Sequence, residues 1–386
     1  MQSAADRIFP AFSLSRLLGT VFDPIRDLRV ALLIDLQDPS EIKDFAYLKN
    51  DAYSIQRHAY EDFYRVLHDG VMDELGLKGG EIFAYQITGG SNLDLPDRAV
   101  GPSGEAFSLE RDVYPHYDLI LCVSTYSATA PLTTFAKTYG FRGATLHGVN
   151  DIILSSGLCV DYNDVAADAE KLRIGMTRAD RFEVDFEFLD RKETLTLHTD
   201  RQEAQKSQGL CLGLAPDVAN LPAGEIYYVP KSAEGRFPLV YETDGTIGLM
   251  EVAGGRIQHA TLLQGDPATV DAHNRKIEAD PVTGELGELG FGTQVLPVSG
   301  ADIQDEKILG TMHVATGRSD HLGGDLTPDR FEHAGNATHD DILFAPHKTP
   351  QIDVSEVRMY RNGRVDVLIE HFQPAEYMQG LLSATV

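Results

Sequence analysis

Imidazoles and carboxylates are concentrated near the end of the chain. Five of the 13 histidines fall between residues 313 and 347, namely His313, His321, His333, His339 and His347. The clearest pair is His339 and Asp341, which open the run HDDILFAP. Residues i and i+2 of a β-strand share a face, so these two would project together and Asp340 would face the other way. An imidazole and a carboxylate on one face are a natural pair of metal ligands.

Three glutamates lie in motifs that also mix charge with glycine or apolar residues. Glu225 follows the turn-forming LPAG, and Glu288 lies in ELGFGT. Glu306 belongs to DEKILGTMHVATG, which also contains His313. Taken singly, such glutamates are typical of acids that flank exposed turns, and His313 is typical of a core histidine. Their chemical interest therefore depends on whether they meet in space.

Four carboxylates would need counter-charge if the three glutamates and Asp341 met in one cleft, because like charges repel and some would protonate. No cluster of Lys or Arg flanks the motifs, and Lys307 and Arg318 are the nearest cationic residues. Two divalent cations would balance the four charges, with His313 and His339 as neutral ligands. The sequence thus predicts two zinc-like or cobalt-like ions that share a bridging carboxylate and a water.

The first half of the chain has the sequence pattern of alternating strands and helices. Short aliphatic runs there alternate with helical patterns. The predicted strands are LRVALLIDL, EIFAYQITGG, YDLILCVST and FRGATLHGV. The predicted helices cover residues 46–75 and the run DYNDVAADAEKLRIGM. Strands that alternate with helices indicate an α/β layer with a mostly parallel sheet.

The second half has a different pattern, which begins near residue 180. Its segments are short, alternating and turn-rich, as in RFEVDFEFLD, ETLTLHTD and GEIYYVP. Asn362–Gly363 between two strand-like runs predicts a hairpin with a type I′ turn. We therefore predict an α/β N-terminal domain over residues 1–205 and a β-rich α+β catalytic domain over residues 206–386 that carries the metal site.

Composition excludes several classes of function. The formal net charge of −26 argues against a surface for nucleic acid or anionic membrane, because phosphates would be repelled. No apolar run approaches the roughly 20 residues of a membrane helix, and the N-terminus lacks the features of a signal peptide. Cys122, Cys159 and Cys211 are too few and too widely spaced for a disulfide framework. These features predict a soluble, cytoplasmic protein.

The motifs of the second half resemble those of the thermophilic metallo-aminopeptidases, the aminopeptidase T family. The similarity covers about residues 205–350 and runs through LPAGEIYYVP, GELGFGT, DEK, GTMHVATG and THDD. It implies a two-metal hydrolase that removes N-terminal residues from peptides, and a homodimer. It also implies zinc or cobalt held by six residues: Glu225, Glu288, Glu306, His313, His339 and Asp341.

Two departures from the family pattern concern the chemistry. Glu306 and His313 are seven residues apart, whereas five separate the equivalent pair in the family. A family tyrosine seven residues after the histidine is replaced by Asp320, with His321 beside it. We expect Glu288 to act as general base on a metal-bound water. Asp320, His321 or Arg318 would then take the role of the tyrosine.

Two alternative functions stay open at this stage. The same fold contains a mononuclear iron enzyme, a dihydroxypyridine ring-cleaving dioxygenase that uses two histidines and an aspartate. One of those histidines aligns with Glu288. By this alternative, Fe(II) would be held by a facial triad of His313, His339 and Asp341 and would act on a small molecule. A biosynthetic or binding relative is the second alternative. Metal content distinguishes them, since two ions favour hydrolysis and one iron favours ring cleavage.

Overall fold

The computed structural model describes residues 7–384, which divide into two compact units. Among the described residues, the first unit comprises residues 7–166, 208–223 and 296–304, and the second comprises residues 167–207, 224–295 and 305–384. This division differs from the predicted boundary near residue 205. The β-hairpin over residues 181–198 belongs to the second unit, because it pairs only with strands of that unit.

The strands are numbered in chain order. They are β1 Arg29–Leu36, β2 Lys78–Gln86, β3 Arg98–Val100, β4 Ala106–Ser108, β5 Leu119–Ser124, β6 Arg142–His147, β7 Arg181–Phe188, β8 Arg191–His198, β9 Gln205–Ser207, β10 Val218–Asn220, β11 Glu225–Tyr228, β12 Ser232–Val240, β13 Ile247–Ala253, β14 Arg256–Gln264, β15 Leu286–Gly292, β16 Met312–Gly317, β17 His339–Phe344, β18 Asp353–Arg361, β19 Arg364–Glu370 and β20 Gln373–Pro374.

Helices are fewer and mostly short. The α-helices are α1 Leu14–Phe22, α2 Ser54–His58, α3 Met72–Leu75, α4 Thr129–Tyr139, α5 Asp151–Ser155, α6 Tyr162–Met176, α7 Pro267–Ala279, α8 Asp302–Asp305 and α9 Glu376–Ser383. The 3-10 segments are Pro39–Lys49, Tyr114–His116, Gly157–Cys159, Pro281–Gly284, Asp320–Leu322, Pro328–Arg330 and Ala334–Asn336. The π-helical segments are Ala59–Tyr64, Leu67–Val71 and Leu109–Val113. Within residues 7–384, no helix is long and apolar enough to cross a membrane.

The first unit is built on a seven-stranded sheet in the order β10-β6-β5-β1-β2-β3-β4. Its pairs from β10 to β2 are parallel, and β3 and β4 extend the sheet in antiparallel fashion. The central strands are almost wholly buried, as expected of a parallel sheet covered on both faces. The predicted α/β layer is thereby confirmed. Cys122, Cys159 and Cys211 are all buried free thiols.

The helix predicted over residues 46–75 is interrupted. A 3-10 segment covers its first residues, Asn50 is extended, and a continuous helical stretch begins only at Ser54. Gly70 has a φ of +133°, which breaks the regular hydrogen-bonding pattern inside that stretch. Helical spacing of apolar residues does not by itself detect these local breaks.

The second unit contains two antiparallel sheets. One has the order β17-β16-β15-β11-β9, and the other has the order β14-β13-β12-β8-β7-β18-β19-β20. Their inner faces share one core, in which Phe186 lies 4.8 Å from Phe344 and Phe182 lies 5.7 Å from Phe291 between ring centroids. The predicted hairpin joins β18 to β19, and Asn362 and Gly363 both have positive φ, as a type I′ turn requires. The β-rich second domain is confirmed.

Candidate metal centre

Four neighbouring strands of the five-stranded sheet carry most of the predicted ligands. Glu225 opens β11, Glu288 lies on β15, His313 on β16, and His339 and Asp341 on β17. The strand register places Glu288 and Asp341 on either side of Ala315. Residues directly opposite each other in an antiparallel pair share a face. The candidate ligands therefore project from the face that points away from the phenylalanine core.

Strand alternation explains why charge and apolar residues are interleaved in these motifs. Leu289 and Phe291 of β15 belong to the core cluster, whereas Glu288, Gly290 and Gly292 face the site. A Cβ atom on Gly290 would lie 2.1 Å from Cε1 of His313, and one on Gly292 would lie 2.2 Å from a backbone oxygen. Both positions need glycine because the imidazole and the backbone approach so closely.

The six predicted ligand residues meet in one cluster of the second unit. Three groups each offer ligand atoms that all lie within 4.8 Å of one another. These groups are Glu225, Glu288 and His313; Glu288, His339 and Asp341; and Glu306, His313 and Asp341. The predicted convergence in space is therefore observed. Whether the residues bind metal, and how many ions, stays a prediction.

One half of the cluster, the triad half, consists of Glu288, His339 and Asp341. Nε2 of His339 lies 2.9 Å from Oε2 of Glu288 and 3.3 Å from Oδ1 of Asp341. Nδ1 of His339 is 2.6 Å from the carbonyl oxygen of Arg318, to which it donates. Burial opposes the imidazolium form, but Asp341 and Glu288 outweigh it and raise the pKa of His339 well above its usual value, so Nε2 carries a proton in the metal-free protein. A metal ion would replace that proton, while Nδ1 continues to donate to the carbonyl oxygen of Arg318.

Asp341 forms the open edge of the triad half. Its side chain is 31% exposed, whereas those of Glu288 and His339 are 5% and 4% exposed. Asp340 faces the other way, where its carboxylate accepts a hydrogen bond from Thr338 and lies 3.8 Å from Lys276. The predicted alternation of this motif is therefore correct. A small molecule would reach the cluster from the side of Asp341.

The other half, the lysine half, consists of Glu225, Glu306 and Lys307. Nζ of Lys307 donates to Oε2 of Glu225 at 2.6 Å and to Oε1 of Glu306 at 2.5 Å. The lysine side chain is only 1% exposed. The charge balance inferred from sequence had assumed that no cation enters the cluster. That assumption is wrong, because an ammonium group already lies between two of the four carboxylates.

His313 lies between the two halves. Its Nε2 is 3.5 Å from Oε1 of Glu288, 3.9 Å from Glu225 and 4.0 Å from Asp341. Its Nδ1 has no hydrogen-bond partner among the described residues. A metal-binding histidine normally donates its second ring N–H to an acceptor, as His339 does. Within the described part of the chain, His313 lacks the second ring contact that orients His339, although it belongs to two of the three candidate ligand groups.

Burial and mutual attraction shift the ionisation of the cluster. Burial opposes the charged form of Glu288, but hydrogen bonds from His313 and His339 outweigh it and hold the pKa of Glu288 well below its usual value. Burial likewise opposes the imidazolium of His313, yet Glu288 raises its pKa to about 10. Burial raises the pKa of Glu306 to about 8, against the attraction of Lys307. The carboxylates are thus met by Lys307 and by two imidazoles with raised pKa, and an incoming metal ion would displace the imidazole protons.

The two residues expected to replace the family tyrosine lie beside the triad half. Asp320 accepts a hydrogen bond of 2.7 Å from Nε of Arg318. The ring of His321 packs edge-on against that of His339, with centroids 5.0 Å apart. Burial and the neighbouring His339 lower the pKa of His321 to about 3, so this ring is neutral. Neither residue belongs to the candidate ligand groups, and their catalytic roles stay predictions.

Two of the clustered histidines lie outside the site. His333 is exposed, and His347 pairs with Asp305 at 2.9 Å. Sequence reasoning missed Lys307 as an internal partner of the carboxylates. A lysine directly after Glu306, within a segment otherwise rich in apolar residues, was the available signal.

The chain resembles a solved structure in fold. No family model matches the chain, and no curated protein does. The solved structure of 2,5-dihydroxypyridine dioxygenase from Pseudomonas putida KT2440 is similar, with a TM-score of 0.57 and 14% sequence identity. The similarity covers 90% of this chain and 92% of that one. At this level of identity the likeness concerns the fold.

Proposed function

We propose that this protein is a mononuclear metal enzyme of the ring-cleaving dioxygenase type. The single observation that carries the proposal is the position of Lys307. Its ammonium lies between Glu225 and Glu306 and leaves Glu288, His339 and Asp341 as the only complete ligand group without a lysine contact among the described residues. This is the alternative that the sequence had left open, with Glu288 in the triad in place of His313.

The triad residues fit a ferrous ion chemically. One imidazole and two carboxylates form a mixed nitrogen and oxygen donor set, which suits divalent transition metals. His339 is held with Nε2 available by its hydrogen bond to the carbonyl of Arg318. When bound, ferrous ion would supply redox chemistry and open coordination positions. The usual triad has two histidines, so Glu288 is a departure that adds one negative charge.

The remaining residues of the cluster would position the triad. His313 would attract Glu288 electrostatically, with its Nε2 3.5 Å from Oε1 of that carboxylate. The buried Lys307 would neutralise part of the charge of Glu225 and Glu306 without entering the triad. Asp341 would border the entrance, since it is the most exposed member of the group. The substrate we propose is a small dihydroxylated aromatic or heteroaromatic ring.

The experiment is anaerobic reconstitution with Fe(II), followed by measurement of bound iron and of oxygen uptake. We expect one iron per chain and oxygen consumption with 2,5-dihydroxypyridine or a related dihydroxylated ring. Glu288→Ala should lose both iron and oxygen uptake. Full iron binding without oxygen uptake on any such ring would contradict the dioxygenase reading. Binding of two ions would contradict the mononuclear site itself.

A two-metal aminopeptidase-type hydrolase is the second candidate. The observation in its favour is that all six residues implied by the family resemblance lie in one cluster. This reading requires two zinc or cobalt ions, a peptide substrate and Glu288 as general base. Release of N-terminal residues from a peptide library by the zinc-loaded or cobalt-loaded protein would establish it. Its expected homodimer and cytoplasmic location are separate predictions, and light scattering tests the first.

A further inference from the structure

We propose that Lys307 determines how many metal ions the cluster binds, because its ammonium group occupies the position of a second ion. The inference rests on the proposed mononuclear function. Nζ of Lys307 lies 2.6 Å from Glu225 and 2.5 Å from Glu306, and its side chain is 1% exposed. The lysine thus uses the carboxylate oxygens that a second cation would need.

Displacement of Lys307 by an incoming ion would be costly. The ion would take both carboxylate partners from the ammonium group. A buried charge without a partner is strongly unfavourable, and the surroundings offer little water to replace the lost contacts. The lysine is also tethered to the chain, so it binds its two carboxylates without the loss of translational freedom that a free ion suffers.

Charge counting leads to the same result. Four carboxylates and one ammonium give −3, and one divalent ion brings this sum to −1. A second ion would turn the sum to +1 in a buried site. Without the lysine charge, four carboxylates and two divalent ions sum to zero. With the lysine charge present, one ion and two ions leave sums of equal size, so neutralising Lys307 shifts the balance of charge toward two ions.

Donor atoms for a second ion are already assembled around the lysine half. Glu225 forms a group with Glu288 and His313, and Glu306 forms a group with His313 and Asp341, each within 4.8 Å. Each of these two groups has three donor atoms, and those atoms lie close together. The feature that separates them from the triad half is the ammonium between the two glutamates.

The test is metal stoichiometry in Lys307→Gln, which removes the charge and keeps a polar side chain. Lys171→Gln is the control, because Lys171 is a partly buried lysine outside the cluster that also pairs with a carboxylate, Asp168 at 3.1 Å. Each protein is dialysed anaerobically to equilibrium with Co(II), and bound metal is measured by mass spectrometry. We expect one ion in the wild type and in the control, and two in Lys307→Gln. The metal-free variant should also melt below the wild type and gain more from cobalt.

The outcomes separate this inference from the function on which it rests. A folded Lys307→Gln that binds one ion, beside a wild type that binds one, overturns the inference and leaves the mononuclear function intact. A wild type that binds two ions overturns both. If Lys307→Gln does not fold, Glu306→Gln decides in its place. We expect it to bind one cobalt ion with wild-type affinity, and a loss of about tenfold or more would place Glu306 in the first metal site and overturn the inference.

Discussion

The triad half and the lysine half of the cluster have nearly the same acidic composition and different counter-charges. Each contributes two carboxylates, and both lie against His313. In the triad half the carboxylates face the imidazole of His339, whereas in the lysine half they face a buried ammonium. The number of acidic residues in a cleft therefore does not give the number of metal ions. The internal cations must be counted first.

The largest expected effect comes from His339→Ala. Loss of the oriented imidazole should weaken metal binding by more than about 100-fold. This exceeds the usual effect of losing a residue that only hydrogen-bonds to a metal ligand. Metal, activity and melting temperature should fall together, because an ion that binds the folded state stabilises it by mass action. Calorimetric titration and thermal melting measure these changes.

Asp340→Asn is the matched control for His339→Ala, since Asp340 lies on the opposite face of the same strand. It should leave metal binding unchanged. Chelation of the wild type should reproduce the lower melting temperature, and added metal should restore it. If chelation changes neither melting nor activity, the triad half holds no functional metal.

Glu225→Gln breaks the lysine half and should act on stability. Lys307 would lose one of its two carboxylate partners, and breaking a buried ion pair costs about 3–5 kcal/mol in the free energy of unfolding. The remaining contact with Glu306 should keep the loss near the lower end of that range. Urea denaturation of the metal-free protein measures it. Glu234→Gln, at an exposed pair with His198, should cost under about 1 kcal/mol.

Gly290→Ala tests the close contact between Gly290 and the ring of His313. The new Cβ would overlap the ring of His313, which lies against both halves, and overpacking of this kind costs about 1–3 kcal/mol. Metal affinity should also fall, because the displaced ring of His313 would disturb Glu288, whose Oε1 lies 3.5 Å from its Nε2. Gly19→Ala in helix α1 is the control, since its Cβ would meet nothing within 4 Å. An equal effect of the two substitutions would show that the contact with His313 is unimportant.

We expect the smallest effect at a carboxylate that pairs with an arginine and lies outside the metal cluster. On the eight-stranded sheet, Asp185 receives hydrogen bonds of 2.8 and 3.1 Å from Arg358. Burial opposes the charged form, but Arg358 outweighs it and lowers the pKa of Asp185 below its usual 3.8. This stability is present above pH 3.8 and disappears as the pH falls through the lowered pKa.

Asp185→Asn should therefore lower the free energy of unfolding by about 1–3 kcal/mol near pH 7, in the range of hydrogen bonds to charged groups. The difference from wild type should vanish at low pH, and chelation should not change it. Denaturant titrations at several pH values measure the effect. A metal-dependent difference would mean that the two ionic clusters are not independent.

The fold class and the members of the cluster could be predicted from the sequence because they depend on local periodicity. His339 and Asp341 share a face through the simple alternation of a strand, and the alternating runs after residue 180 form antiparallel sheets. Lys307 could not be placed in this way. It follows the short helix α8 in an irregular segment, where periodicity does not give the direction of a side chain.

The boundary between the two units also could not be predicted from local sequence patterns. The first unit takes in residues 208–223 and 296–304, which return to it after the chain has entered the second unit. Such returns depend on pairing between distant segments, as in β10 against β6. The departure from helix near Asn50 has a different, local origin, since turns there override a helical pattern of apolar residues.

Strands β15 and β16 carry two interleaved sets of residues with separate tasks. On β15, Leu289 and Phe291 hold the fold, while Glu288, Gly290 and Gly292 shape the chemistry. A substitution in the second set need not disturb the first, since the side chains lie on opposite faces of the sheet. The core face can therefore stay constant while residues of the site face change, except at Gly290 and Gly292, where an added side chain would meet His313 or the backbone.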